Sequence, residues 1–427
     1  MLDKPPKEAE WLSWVYAGLL ALLIFFTVPF ARAVQEIVSN SLGREFFLYA
    51  VALAGIAAAY TAYSNLRKRC LGSSSYFWLL GVGAAFSLYS YSLRKSPEEA
   101  MHFVEYGALS VLVYRALVHR VRDYSIFVTA TIIVGTVGIV DEAIQWITPS
   151  RVWDLRDIWI NFVAGGLAQL AIGAGLRPSI VTAPPNPASL RMLCRTAALG
   201  LFLLGLTLAN TPERIARYAL DVPRLSFFLD QREVVMAEYG YMYRDPDIGV
   251  FRSRFTKDEL AEYDRLRGAE VAAIMDEYVR NPQLGVFLDF WVFLTKYNVP
   301  SDAYVHEAGI HLRRRNRYFT RALSEETDRA EHYNIALREN RILEVYFPRT
   351  LSESKHLWTE DLRNQVSTAA NDDQEYESPV SSRLITRVTE GQVMSVISLS
   401  IVVSLLLASY YGRRIDSSSA LSGLTKD

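Results

Sequence analysis

Three short clusters in the 427-residue sequence combine a histidine, a tyrosine, amides and carboxylates at helical spacing. They are His102 with Glu105 and Tyr106, Asp141 with Glu142 and Gln145, and Asp157 with Asn161. Side chains four residues apart share one helix face, so His102/Tyr106, Asp141/Gln145 and Asp157/Asn161 each form a pair. Glu142 sits about 100° round from Asp141 and still reaches the rim of the same site. The segment between the second and third clusters adds Arg151, Asp154 and Arg156. An imidazole beside carboxylates is suited to acid-base work near neutral pH, which makes His102, Asp141, Glu142 and Asp157 the catalytic candidates. Tyr106, Gln145, Arg151, Asp154 and Asn161 are the substrate-binding candidates, with the Arg151 fork matched to an anionic group. No nucleophile stands among them, so catalysis would run through bound water, whereas a binding site needs only the hydrogen-bonding groups. The plainer reading is that such residues satisfy interfacial hydrogen bonds or reach to water from helix ends.

The elements that must position these clusters are apolar. A bilayer core of about 30 Å takes roughly 20 mostly apolar residues per helix. Eight windows qualify: 11–31, 46–64, 75–93, 101–118, 125–147, 158–176, 193–209 and 391–411. The first cluster opens the fourth window, the second closes the fifth, and the third opens the sixth, so an antiparallel packing brings all three to one end. Ionisable residues inside membrane helices are costly and mark functional positions.

Charge is concentrated elsewhere. Of 45 Lys and Arg and 46 Asp and Glu, residues 211–388 hold 25 and 30. The expected fold is therefore all-α: a polytopic helical membrane protein of about eight transmembrane helices with a mainly helical exported soluble domain. Residues 1–177 form a six-helix membrane unit, 178–192 a proline-rich cytoplasmic linker, 193–210 a transmembrane helix, 211–390 the exported domain, 391–411 the last transmembrane helix and 412–427 a cytoplasmic tail. Arg67-Lys68-Arg69, Arg115, Arg120, Arg122, Arg177, Arg191, Arg195 and Arg413-Arg414 all fall on one side, which places both termini in the cytoplasm and the polar clusters outside. A second reading takes the first window as a secretory signal, because Ala31-Arg32-Ala33 has a small-x-small pattern. The near-neutral charge excludes a general nucleic-acid binder, and two cysteines are too few for a disulfide scaffold. Nothing calls for a cofactor or a metal.

Within 211–390, Thr256-Lys257-Asp258-Glu259 fits a capping box ahead of Leu260, Tyr263, Val271, Ile274, Met275 and Tyr278 at helical spacing. Residues 284–294 read as a buried helix, 324–343 as a charged and solvated one, and 367–382 as a flexible acidic tether, with no sustained strand alternation. His306 and His311 are five apart and point about 140° away from each other, so they read as two exposed histidines of an ordinary helix, not a zinc pair. The run Arg313-Arg314-Arg315 with Arg317 and Arg321 reads as a solvated face, with contact to an anionic headgroup or acidic polymer as the alternative.

The run from His102 to Leu109, the Asp141-Glu142-Ala143-Ile144-Gln145 segment and the stretch Pro149 to Ile158 continuing to Asn161 together resemble the VanZ-like family of small polytopic membrane proteins. The resemblance covers about residues 75–176, and Glu99 stands where many members have lysine. The family takes its name from a protein associated with resistance to the glycopeptide teicoplanin. The resemblance implies a polytopic membrane protein, with membrane lipids around it, and says nothing about residues 190–427. The function read from the site is recognition or handling of a cell-envelope lipid or peptidoglycan-related ligand, with the exported domain as a partner-binding or substrate-presenting module; the alternative is a membrane-embedded hydrolase or transferase acting on a lipid-linked or cell-wall substrate.

Overall fold

The computed structural model describes residues 5–30, 37–41, 43, 45–69, 71–93, 97–148, 153–230, 236–281, 286–287, 290–370 and 375–424. It divides into two compact units, residues 1–207 with 394–427, and residues 208–393.

The first unit is built from α1 (Glu10–Thr27), α2 (Glu45–Arg69), α3 (Ser73–Ser92), α4 (Pro97–Leu117), α5 (Ser125–Trp146), α6 (Leu155–Leu170, ending in a π turn Ala171–Leu176), α7 (Pro187–Leu208) and, from Met394, the long final helix α16 (Glu390–Leu424). Each of the eight windows is a helix. Six of the described helices are long and apolar enough to cross a membrane: α1, α2, α5, α6, α7 and α16. α3 carries Ser and Tyr throughout, and α4 carries Glu98, Glu99, His102, Glu105 and Arg115, so these two fall short on apolarity.

α4, α5 and α6 pack around a core of Phe103, Tyr106, Leu109, Val113, Ile126, Ala130, Val134, Ile160 and Ala164, to which α1 adds Ala17 and Ile24. Small residues let α5 and α6 approach closely, the packing mode expected where lipid supplies no hydrophobic drive. A Cβ on Gly165 would stand 2.8 Å from Val134 Cγ1, and one on Gly138 3.0 Å from Asn161 Cβ. Gly165→Val should therefore push the two helices apart and cost about 1–3 kcal/mol, read as a lower Tm of the purified protein. An unchanged Tm would mean that this contact is loose.

The basic ends gather at the end of the unit opposite the polar clusters. Arg69 at the close of α2 donates to the carbonyls of Leu176 and Arg177, Arg115 at the close of α4 meets Glu8 at 2.5 Å, and Arg120 meets Glu10 at 2.6 Å. The proline-rich stretch is pinned there too. Asp123 accepts from the Asn186 side chain at 2.9 Å, and Asn186 caps α7 by accepting from the N–H groups of Ala188 and Ser189. α7 thus begins at Pro187, inside the stretch expected to be linker.

The second unit contains α8 (Pro212–Asp221), α9 (Phe227–Asp230), the hairpin β1 (Tyr241–Asp245) and β2 (Gly249–Ser253), α10 (Lys257–Glu277), a second small hairpin β3 (Val279–Asn281) and β4 (Val286–Phe287), α11 (Phe290–Lys296), α12 (Val299–Ser324), α13 (Arg329–Tyr346), α14 (Pro348–Ser352) and α15 (Glu360–Ala369). Thr256 accepts from the Glu259 N–H while Glu259 accepts from that of Thr256, the reciprocal cap expected. Leu260, Val271 and Met275 of α10 then bury against Phe251, Tyr304, Val305, Leu312 and Phe347.

Several expectations change in this unit. Residues 284–294 are not one helix: β4 precedes α11, which buries Phe290 and Phe293. α13 is not a solvated helix, because Asn334, Arg338, Glu339 and Asn340 are buried beside Leu337, Ile342 and Leu343. Its charge is consumed by internal partners. Among the described residues of 367–382, the segment from Glu375 is part of the fold and no tether: Val250 N–H donates to Tyr376 O and Ser378 N–H to Val250 O, both at 2.8 Å. Asn371-Asp372-Asp373 lie outside the described residues. Gly249 is required where that segment crosses β2, since its φ of +102° is left-handed and a Cβ would strike the Tyr376 carbonyl.

Candidate functional site

Three helix ends build the site. α4 presents His102 and Tyr106 one turn apart, with ring centroids 6.4 Å from each other. α5 ends on Asp141, Glu142 and Gln145, all buried, the two acids at 0% exposure. α6 begins at its cap Asp154 and presents Asp157 and, one turn on, buried Asn161. The spacing rule thus brings the three pairs to one end of the bundle.

The contacts join α5 to α6. Glu142 accepts from Gln145 Nε2 at 2.5 Å and from the Asp154 backbone N–H at 3.1 Å. Asp154 spends its own carboxylate capping α6, accepting from the Arg156 N–H at 2.8 Å. The Tyr106 hydroxyl faces Asp141, whose charge also reaches Glu105, and Glu142 lies within Coulombic reach of Asp141, Asp154 and Asp157. His102 Nδ1 stands 3.4 Å from Glu105, on its own helix. Tyr106, Asp141, Glu142, Gln145 and Asn161 form a buried floor, and His102, Glu105, Asp154 and Asp157 a partly open rim. Arg151 lies outside the described residues.

The floor keeps hydrogen-bonding capacity in reserve. Among the described residues Asn161 Oδ1 and the Trp153 indole N–H are buried without a partner. Buried polar atoms left unmatched cost about 1–3 kcal/mol each, so such groups are retained where a ligand or solvent completes them.

One polar contact escaped the sequence reading. Ser110 donates to the Gly165 carbonyl at 3.0 Å, and Gln169 Nε2 donates to Ser110 O and Oγ at 2.9 and 2.8 Å, all buried between α4 and α6. The signal was present: His102, Tyr106 and Ser110 run at four-residue steps on α4, as do Asn161, Gly165 and Gln169 on α6. This clamp fixes the register of the two helices that carry the site.

In the second unit the two histidines of α12 are not surface residues. His311 is fully buried, its Nδ1 2.6 Å from the equally buried Glu339, which also accepts from Tyr376 (2.5 Å) and Ser378 (2.7 Å). His306 has a buried Nδ1, and burial with the nearby Arg254 pushes its pKa down to about 3. His356, also buried, is pushed down to about 4 by burial and Arg315. Arg315 belongs to no solvated face: it is buried, paired with Asn316 and Asn340 and set over Trp358.

These shifts fix a pH dependence. His306 and His356 bind protons in the unfolded chain near pH 6.5 but resist them when folded, so their contribution to stability is full above that pH and is lost as pH falls toward 4 and 3. Against burial, Coulombic attraction to His311 and the hydrogen bonds from His311, Tyr376 and Ser378 hold the Glu339 carboxyl below its ordinary range, which adds loss in the same direction as pH falls through its folded pKa. Thermal unfolding of the second unit, followed in the full-length protein, should therefore shift to lower temperature between pH 6.5 and 4. A Tm that rises on acidification would contradict these assignments.

Residues 13–174, spanning α1 to α6 and hence all three clusters, match the family model VanZ/LLP1. No curated protein and no solved structure matches the chain. The chain thus carries a VanZ-like membrane region, and the polar site is built within that region.

Proposed function

We propose that the VanZ-like region recognises a cell-envelope component at an outward-facing polar site. The observation that carries this reading is the pair of fully buried carboxylates, Asp141 and Glu142, at the meeting of three helices in a membrane region. Burying charge there costs free energy that packing does not return, which favours a binding role over a structural one. Around them Tyr106, Gln145 and Asn161 offer fixed hydrogen-bonding groups, and the rim adds Glu105, Asp154 and Asp157. A floor and rim rich in acceptors suits a ligand that presents hydroxyl or amino groups, as saccharide and peptide parts of the envelope do.

The second reading is a hydrolase or transferase acting on a lipid-linked or cell-wall substrate, and the His102–Glu105 contact favours it. A carboxylate beside an imidazole can fix its orientation and tautomer, the arrangement used for general-base work on a bound water. The two readings separate in one experiment. Protein in nanodiscs is presented with a panel of envelope lipids and lipid-linked cell-wall precursors, wild type against His102→Ala. Saturable binding without turnover, kept in the variant, supports recognition; turnover lost in the variant supports catalysis; neither binding nor turnover with any member of the panel contradicts both. Teicoplanin susceptibility of cells carrying the same variants is the matching physiological readout.

The outward orientation rests on the basic ends collected opposite the site. In a background with Cys70 and Cys194 replaced by serine, Ser324→Cys and Ser352→Cys should react with a membrane-impermeant thiol reagent in intact cells or spheroplasts, and Ser418→Cys only after lysis. The reverse pattern would turn the site inward.

A further inference from the structure

The second unit holds a cation-lined cavity that the membrane site does not involve. Its volume is about 220 Å³, and its walls are Ile310, Arg313, Arg314, Arg317 and Tyr318 of α12 with Pro379 and Val380 of the strand-like segment that crosses β2. α12 places these residues by its own periodicity, since 310, 313, 314, 317 and 318 share one face.

The three guanidinium groups are held differently. Arg313 sits over Phe290, its Cζ 3.3 Å from the ring centroid. Arg314 sits over Tyr318 at 4.6 Å, with its Nε 3.2 Å from the buried Glu339 and 3.3 Å from the Tyr376 hydroxyl. Arg317 is exposed and makes no ion pair among the described residues. Nearby Arg321 has Glu325 at 3.9 Å. Glu339 offsets the charge of Arg314, and Arg317 leaves the wall with positive charge facing an anion such as a phosphate monoester. Forked, stacked arginines are suited to planar multidentate contact with phosphate oxygens, and Ile310, Pro379 and Val380 supply an apolar side.

We propose that this cavity binds a phosphate group, with the apolar wall taking hydrocarbon attached to it. The inference is independent of the reading of the membrane site. A phosphate of this kind comes either from a lipid headgroup or from solution, and two probes separate these sources. Full-length protein in phosphatidylcholine nanodiscs is titrated calorimetrically with dihexanoyl phosphatidic acid and, separately, with inorganic phosphate. One saturable site for the phosphatidate, weakened about tenfold or more in Arg317→Gln and unchanged in Arg363→Gln, is the expected result. Arg363 is an exposed arginine of the same unit with Glu344 at 3.4 Å, and it controls for general electrostatic attraction. Because Arg317 is exposed, the variant should melt with wild type; Arg317→Lys, which keeps charge but not the fork, should fall between the two. Inorganic phosphate binding as tightly, with the same dependence on Arg317, would support the site and name free phosphate as its source. Absence of saturable binding by either probe, or equal loss in the Arg317 and Arg363 variants, would overturn the proposal.

Discussion

Replacing Glu142 with glutamine is expected to abolish recognition of the envelope ligand while leaving the protein at least as stable as wild type. Glutamine keeps the shape and an acceptor for the Asp154 N–H, so the α5–α6 junction survives. What it removes is one member of a group of carboxylates, Asp141, Glu142, Asp154 and Asp157, that repel one another across a poorly screened space. Relief of that repulsion should hold or raise the Tm. Loss of a buried charged partner typically costs binding about 2 kcal/mol or more, roughly thirtyfold in Kd. Asp141→Asn should behave alike. That opposed pair of effects, function down and stability up, is the mark of residues kept for binding at the expense of the fold. A variant that lost stability and kept binding would make Glu142 a structural residue.

Glu339→Ala should have the largest effect on stability in the chain. The carboxylate is fully buried and receives His311, Tyr376 and Ser378, with Arg314 at 3.2 Å. Removing it strands an imidazole and two hydroxyls in the core and frees Arg314, and breaking a buried charged network in this way costs about 3–5 kcal/mol. The second unit should unfold at markedly lower temperature in the full-length protein, and the crossing of residues 375–380 over β2 should lose hydrogen-exchange protection first. A loss below about 1 kcal/mol would mean that the network is dispensable. His311→Phe tests the same centre with less damage, because the ring already contacts Phe251 and Phe347.

What could be read from the sequence followed the range of the interaction. The apolar helices and the Thr256–Glu259 cap are local patterns, complete within one or six turns: each of the eight windows forms a helix, six of them long and apolar enough to cross a membrane, and the cap forms as expected. The convergence of His102/Tyr106, Asp141/Gln145 and Asp157/Asn161 was legible because short connections force α4, α5 and α6 to be neighbours. The approach of Glu105 to His102 was not, because Glu105 and the α5 acids are equally reachable by register alone. Ser110 and Gln169 were passed over as isolated polar residues, although each continues a four-residue stripe from the site. Over α12, α13 and residues 375–382 the error had one cause: charged composition was taken for solvation. Glu339, Arg315 and Arg338 are charged and buried because their partners stand far off in sequence, Tyr376 and Ser378 nearly 40 residues beyond Glu339. Spacing within a helix carries no information about such contacts.

We propose that the acidic floor between α4, α5 and α6 binds a component of the cell envelope. It is tested most directly by ligand-induced stabilisation of the full-length protein in nanodiscs, wild type against Asp141→Asn and Glu142→Gln, with lipid-linked cell-wall precursors as probes. A bound ligand present at 100 times its Kd adds about 2.7 kcal/mol to the folded state. A precursor should raise the Tm of the wild-type protein and leave both variants, themselves no less stable, unmoved. Equal stabilisation of all three proteins would contradict it.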